Sequence, residues 1–281
     1  MPNSNLPGRT PVLEVSHYQK RYGKKIAVRD LSLTVEPGDI YGFIGHNGAG
    51  KTTLIRSIVG VQTIDAGSIR ICGVDVSADP VAAKRLCAYV PDNPDVYDFM
   101  TGLQYLTFIA DIFEVPADVR SRRITELAER LDLTAALGDP VSSYSHGMRQ
   151  KLVLIGALVH EPRLLVLDEP FVGLDPLASH ELKQILHELA ERGGAVFFSS
   201  HVLEVVERLC NKVAIIRRGE LVAAGTTDEV RGDDSLEDVF LELAEVPAGA
   251  DAPAAPGCAR EAPEVSPAAD TARAPRARNR A

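Results

Sequence analysis

Hydrophobic positions in the first part of the chain fall in short runs: Val12 to Val15, Leu31 to Val35 and Ile40 to Ile44. Each is rich in Val, Ile or Leu and is set off by glycine or proline, the composition of strands, and a helix is predicted after Lys51. From Thr101 to about Leu137 the period lengthens, and Ile124, Leu127, Ala128 and Leu131 stand at i, i+3, i+4 and i+7, one stripe of a helix. Helix and strand then alternate through Gly147–His160, Leu164–Leu167, Ala178–Glu191 and Ala195–Ser199, with Leu182, Ile185, Leu186 and Leu189 forming the stripe of the third segment. Such alternation predicts a largely parallel sheet. The expectation is an α/β fold: a mixed, largely parallel sheet, an antiparallel β region near the start and a helical subdomain. The globular part should span residues 12–245, with the helical subdomain at about 92–160. Residues 246–281 are almost all Ala, Pro, Arg, Gly and acids. They have too little apolar surface to offset the entropy of ordering, so a disordered tail is expected.

Composition narrows the function classes. Thirty basic against thirty-nine acidic residues give a net charge of −9, which argues against a surface that coats nucleic acid. The four cysteines, Cys72, Cys87, Cys210 and Cys258, lie far apart with no metal-type spacing and read as reduced thiols. The longest apolar run, Leu152 to Val159, falls well short of the roughly 20 residues of a membrane helix, and the N-terminus lacks the basic-then-apolar pattern of a signal peptide. A cytoplasmic location is expected.

Residues 45–52, Gly45, His46, Asn47, Gly48, Ala49, Gly50, Lys51 and Thr52, fit GxxxxGK[ST] between an apolar run and a helix, the context this motif requires. Glycines let backbone N–H groups turn inward around a polyphosphate, and the helix N-terminus adds partial positive charge. Lys51 reaches the outer phosphates, Thr52 offers a hydroxyl to a divalent cation, and Thr53 completes the cradle. The motif is common to many P-loop NTPases, so the choice among them rests on residues further along the chain. Residues 163–170 form an apolar run ending in Asp168 and Glu169, a carboxylate pair suited to a metal contact and a general base. Ser145 is a plausible N-cap for the helix predicted from Gly147.

Tyr144-Ser145-His146-Gly147-Met148, Asp168-Glu169, Gly173-Leu174-Asp175 and Ser199-Ser200-His201, in this order after the phosphate motif, resemble the ATP-binding cassette family from about Leu13 to Leu243. The resemblance implies ATP and Mg²⁺ as cofactors. It implies that Ser145 and Gly147 are the signature, Asp168 with Thr52 the metal side, Glu169 the general base, Asp175 the D-loop and His201 the switch histidine. Tyr22 matches the aromatic that stacks on adenine, although its own chemistry equally suits a packed ring. His17, His160, His180 and His187 are read as structural.

In this family two cassettes close head to tail around two ATP molecules, so a second copy and an integral membrane permease are the expected partners. The expected location is the inner face of the membrane, reached through the permease. The signature departs from the usual LSGGQ by losing its first glycine and its glutamine, for which Gln150 is a partial substitute. The histidine at 146 resembles cassettes paired with ABC-2 type permeases and points towards export. Asp92 stands where the family usually has a glutamine that touches both metal and permease. The other reading, a soluble cassette ATPase acting on nucleic acid or ribosomes, lacks the long coiled-coil insertion or second cassette usual there.

Overall fold

The computed structural model describes residues 10–245. The expected tail and Cys258 lie outside the described residues.

The chain begins with an antiparallel hairpin, β1 (Leu13–Tyr22) and β2 (Lys25–Val35), followed by β3 (Ile40–Ile44) and α1 (Lys51–Ile58). Then come β4 (Ala66–Ile71), β5 (Val74–Asp75), α2 (Pro80–Leu86) and β6 (Cys87–Val90). The helical insert consists of α3 (Gly102–Ile112), α4 (Ala117–Arg130) and α5 (His146–Leu158). The rest alternates: β7 (Leu164–Asp168), α6 (Pro176–Glu191), β8 (Ala195–Ser200), α7 (Leu203–Leu209), β9 (Lys212–Arg217) and β10 (Glu220–Thr226), closed by α8 (Thr227–Arg231) and α9 (Leu236–Glu245).

Two sheets result. The six-stranded sheet runs β10-β9-β3-β8-β7-β6, parallel except for the β10 edge, and the four-stranded antiparallel sheet runs β2-β1-β4-β5. Successive side chains on a strand point to opposite faces, and the central strands divide accordingly. Ile40, Ile44, Leu165, Leu167, Val196 and Phe198 enter one core with the helical insert. Tyr41, Phe43, Leu164, Val166, Ala195 and Phe197 enter a second core with α1 and the antiparallel sheet. Burial on both faces is why these strands read as continuous apolar runs and not as alternation.

The first strand is longer than the run Val12 to Val15 predicts. At His17 (φ 49°) and Asp30 (φ 38°) both strands of the hairpin carry left-handed residues, joined by a 2.7 Å ion pair, and the register shifts between Val15 and Tyr18. A bulge of this kind breaks the period of two on which a strand prediction depends. Helix starts obey local signals: Thr101 and Gln104 form a capping box on α3, Ser145 caps α5 through the Met148 N–H, and Asp175 caps α6 ahead of Pro176. Arg130 joins α4 to α6 by two 2.9 Å bonds to Glu188 and one of 3.3 Å to Glu181. Cys72, Cys87 and Cys210 are free thiols, and burial pushes Cys87 up to about 11. Among the described residues no helix is long and apolar enough to cross a membrane.

Candidate functional site

The C-terminal ends of the parallel strands converge, as open α/β sheets require of a ligand site. β3 runs into the loop 45–50, β6 into Asp92, β7 into Asp168 and Glu169, and β8 into His201. The strand order β3-β8-β7-β6 places these four segments side by side.

The loop from Gly45 to Gly50 is held tightly from outside. Gly50 has φ 117°, and a Cβ there would lie 2.9 Å from the Ala27 carbonyl; one on Gly45 would lie 2.5 Å from the Ile216 carbonyl. Gly48 also has positive φ (80°) but faces open space. The turn after β9 braces the loop through a 2.9 Å bond from the Gly219 N–H to the Ala49 carbonyl. At its end α1 starts with no side-chain cap, so its first N–H groups and its positive pole suit an anion. Lys51 is 7% exposed and its Nζ donates to the Gly45 carbonyl at 2.5 Å, so the cation lies across the loop. Burial lowers its pKa, and the carboxylates of Glu169 and Asp168 oppose that shift.

The acidic side is equally well defined. Asp168, 4% exposed, accepts from Thr52 Oγ1 at 3.0 Å on one oxygen and from Ser199 Oγ on the other. Glu169 adopts a left-handed backbone (φ 51°), a conformation that costs energy in a non-glycine residue and is concentrated at functional turns. Its carboxylate meets His201 Nδ1 at 2.8 Å and the His201 N–H at 3.3 Å.

Two cavities flank the loop. One, of about 670 Å³, brings together Gly45, His46, Asn47, Asp92, Glu169 and His201. The other, of about 490 Å³, joins Gly48, Gly50, Lys51, Thr52 and Thr53 to Tyr22, whose ring is half exposed and whose hydroxyl donates to Gln62 Oε1 at 2.5 Å. Ala49 is buried behind the loop.

Ser145 and Gly147 line neither cavity. Ser145 is exposed, while Gly147 approaches the segment that leads to Asp175: a Cβ on Gly147 would lie 2.8 Å from the Gly173 carbonyl, and Lys151 pairs with Asp175 at 3.0 Å. The N–H of Ala178, followed by Lys151, holds the Asp175 carboxyl below the usual range. Gln150 does not substitute for the missing signature glutamine. It is fully buried in α5, with neither side-chain polar atom bonded among the described residues, because position 150 falls on the helix face that meets the core. Of the four histidines read as structural, His160 is half-buried and stacks on Phe113 at 3.6 Å, whereas His17, His180 and His187 are exposed.

Phe240 of α9 also lines the larger cavity, and its ring lies 4.6 Å from that of His46. No local pattern in the chain signals this contact, since the two residues are far apart in sequence.

A buried P-loop lysine, a threonine–aspartate bond and a strand-end carboxylate pair on a largely parallel sheet define a P-loop ATPase. Comparisons with known proteins make this specific. The family model described as ABC transporter matches residues 28–172. The ABC transporter ATP-binding protein YdbJ of Bacillus subtilis (strain 168) is 40% identical over 234 residues, which cover 83% of this chain and 74% of that protein. Nod factor export ATP-binding protein I of Ralstonia nicotianae (strain ATCC BAA-1114 / GMI1000) is 34% identical over 223 residues, 79% of this chain and 70% of that one. A solved structure of the ATP binding subunit of an ABC transporter superposes with a TM-score of 0.81 at 32% identity, covering 83% of this chain and all of that one. The chain belongs to the ABC transporter ATP-binding family. It is an ATP-binding subunit and an ATPase.

Proposed function

We propose that this subunit powers export by a separate membrane permease of the ABC-2 type, working as a pair of identical cassettes on the cytoplasmic face of the membrane. The observation that carries the reading is an unpartnered apolar patch beside the site. Tyr97, Phe99 and Phe108 are exposed, Phe99 at 81%, and the Tyr97 ring lies 5.8 Å from both Phe99 and Phe108; Ile112 is exposed one turn after Phe108 on the same helix. Monomeric surfaces rarely leave such a cluster uncovered. It begins five residues after Asp92, on the chain segment that leads out of the catalytic cavity. The name of the Ralstonia relative supports the export direction. That Ser145 and Gly147 line neither cavity beside the chain's own phosphate loop supports a site completed by a second copy.

In this reading Lys51 meets the outer phosphates, and Glu169, oriented by His201, takes a proton from the water that attacks the γ-phosphorus. The bond to the bridging oxygen breaks, and ADP and phosphate leave. Tyr22 faces the adenine. Thr52 and Asp168, one hydroxyl and one carboxylate already in contact, fit Mg²⁺, which takes few protein ligands alongside phosphates and water, and Asp92 lines the larger cavity with Glu169. Bound there, Mg²⁺ would neutralise phosphate charge.

The test is purification of the full chain with the membrane protein encoded beside it, in detergent, with Phe99→Asp as comparison. The expected result is a stable complex with stimulated ATPase, lost in Phe99→Asp while basal ATPase stays. A chain that co-purifies with nucleic acid or ribosomes, and with no membrane protein, would replace this reading.

A further inference from the structure

The described chain ends on a helix that reaches back to the phosphate loop. α9 is anchored at both ends: the Leu236 N–H donates to Glu207 Oε2 at 3.0 Å, and Arg217 Nη1 donates to the Leu243 carbonyl. It packs on α7 and α8 and projects Phe240, half-buried, over the imidazole of His46. The rings are 4.6 Å apart and tilted by 48°, within the range in which aromatic pairs attract. His46 is otherwise exposed, so the Phe240 ring is its aromatic neighbour on the cavity side of the loop. The opposite side of the loop is held by the Gly219–Ala49 bond and by the close approach of Ala27 and Ile216. Those contacts fix Gly45, Ala49 and Gly50. The His46 carbonyl is held only from within the loop, by the Ala49 N–H at 3.0 Å and by Lys51 Nζ at 3.5 Å, while its side chain stands exposed at the crest.

We infer that Phe240 is a positioning residue for nucleotide: by packing its ring against His46 it holds the crest of the phosphate loop in its binding shape and couples α9 to ATP. This rests on the nucleotide site described above. Such coupling is reciprocal, so nucleotide bound on the loop tightens the docking of α9 as much as α9 tightens nucleotide.

Binding of ADP and of a non-hydrolysable ATP analogue to the full chain is measured by calorimetry for Phe240→Leu, Phe240→Tyr, His46→Ala and the Phe240→Leu/His46→Ala double variant. Phe240→Leu keeps an apolar side chain under α9 but loses the ring, and an aromatic pair is worth enough to weaken binding by about two- to twelvefold. His46→Ala removes the partner ring without touching α9 and should give a similar loss. The double variant should be no weaker than the worse single one, and Phe240→Tyr should bind like the parent. Hydrogen exchange in residues 236–243 should slow on adding the ATP analogue to the parent and not to Phe240→Leu. A Phe240→Leu protein that binds within about twofold of the parent overturns the inference, as do losses that multiply in the double variant. If Phe240→Leu loses its fold, His46→Ala and the exchange measurement decide. Lys51→Ala separates the two levels: if it binds nucleotide like the parent, the site assignment itself has failed, whereas loss of binding there with no Phe240 effect refutes only the ring contact.

Discussion

The tight seat of the phosphate loop makes a quantitative difference between two glycines two residues apart. Gly48 and Gly50 both have positive φ, 80° and 117°, so alanine at either is strained by about 1–2 kcal/mol. At Gly48 nothing lies within 4 Å of the added Cβ, and the cost stops there. At Gly50 the methyl would meet the Ala27 carbonyl at 2.9 Å, Val28 Cγ2 at 3.0 Å and Ile216 Cδ1 at 3.2 Å. Two of these are side-chain tips that shift, but the first is backbone in β2. Overpacking of this kind costs a further 1–3 kcal/mol or so. A domain of this size loses about 2–4 °C of melting temperature per kcal/mol. Gly48→Ala should therefore melt roughly 4 °C below the parent and Gly50→Ala roughly 10 °C below it. Differential scanning calorimetry without nucleotide is the assay, with urea midpoints as a check that unfolding remains cooperative. Equal melting temperatures for the two variants would refute the claim that β2 and β9 clamp the loop.

Asp175→Asn keeps the cap on α6 but leaves the largely buried Lys151 without its anion, and should lower the melting temperature by about 2 °C at pH 7. Because the Asp175 carboxyl is held below its usual range, that difference should shrink as pH falls through its folded value; a difference that persists in strong acid would assign the effect to the cap. His160 is pushed down to about 4 by burial against an ordinary value of 6.5, so the unfolded chain takes up a proton there before the folded one does. The stability it contributes is complete above pH 6.5 and is lost as pH falls towards 4. His160→Phe retains a ring against Phe113 and removes the titration, so its melting temperature should fall less than that of the parent across this window; parallel curves would exclude His160 as a cause of acid sensitivity.

The parts of the site set by local chain rules were legible in the sequence. The apolar run 40–44 and the glycine-rich segment after it form β3, the loop and α1; the run ending at Asp168 forms β7; His201 comes directly after β8. Of the stripes Ile124, Leu127, Ala128, Leu131 and Leu182, Ile185, Leu186, Leu189, all are buried except Leu127 and Leu189, which are half-buried against the same core. Features that depend on distant packing were not legible. Gln150 carries a polar side chain at the start of the buried stretch of α5, so its chemistry suggested a role that its burial forbids. The bulge at His17 and Asp30 hides the second half of β1 behind polar residues. Phe240 lies on the most C-terminal described helix, and only the tertiary fold brings it to His46.

In the proposed mechanism hydrolysis turns on Glu169 as the group that activates water, and its carboxylate meets His201 Nδ1 at 2.8 Å. Glu169→Gln preserves shape and removes the base, so the variant should bind ATP as the parent does. It should hydrolyse ATP slower by about two orders of magnitude or more and accumulate as an ATP-bound dimer in light scattering. A Glu169→Gln protein that hydrolyses ATP at the parental rate and remains monomeric with ATP would contradict that role.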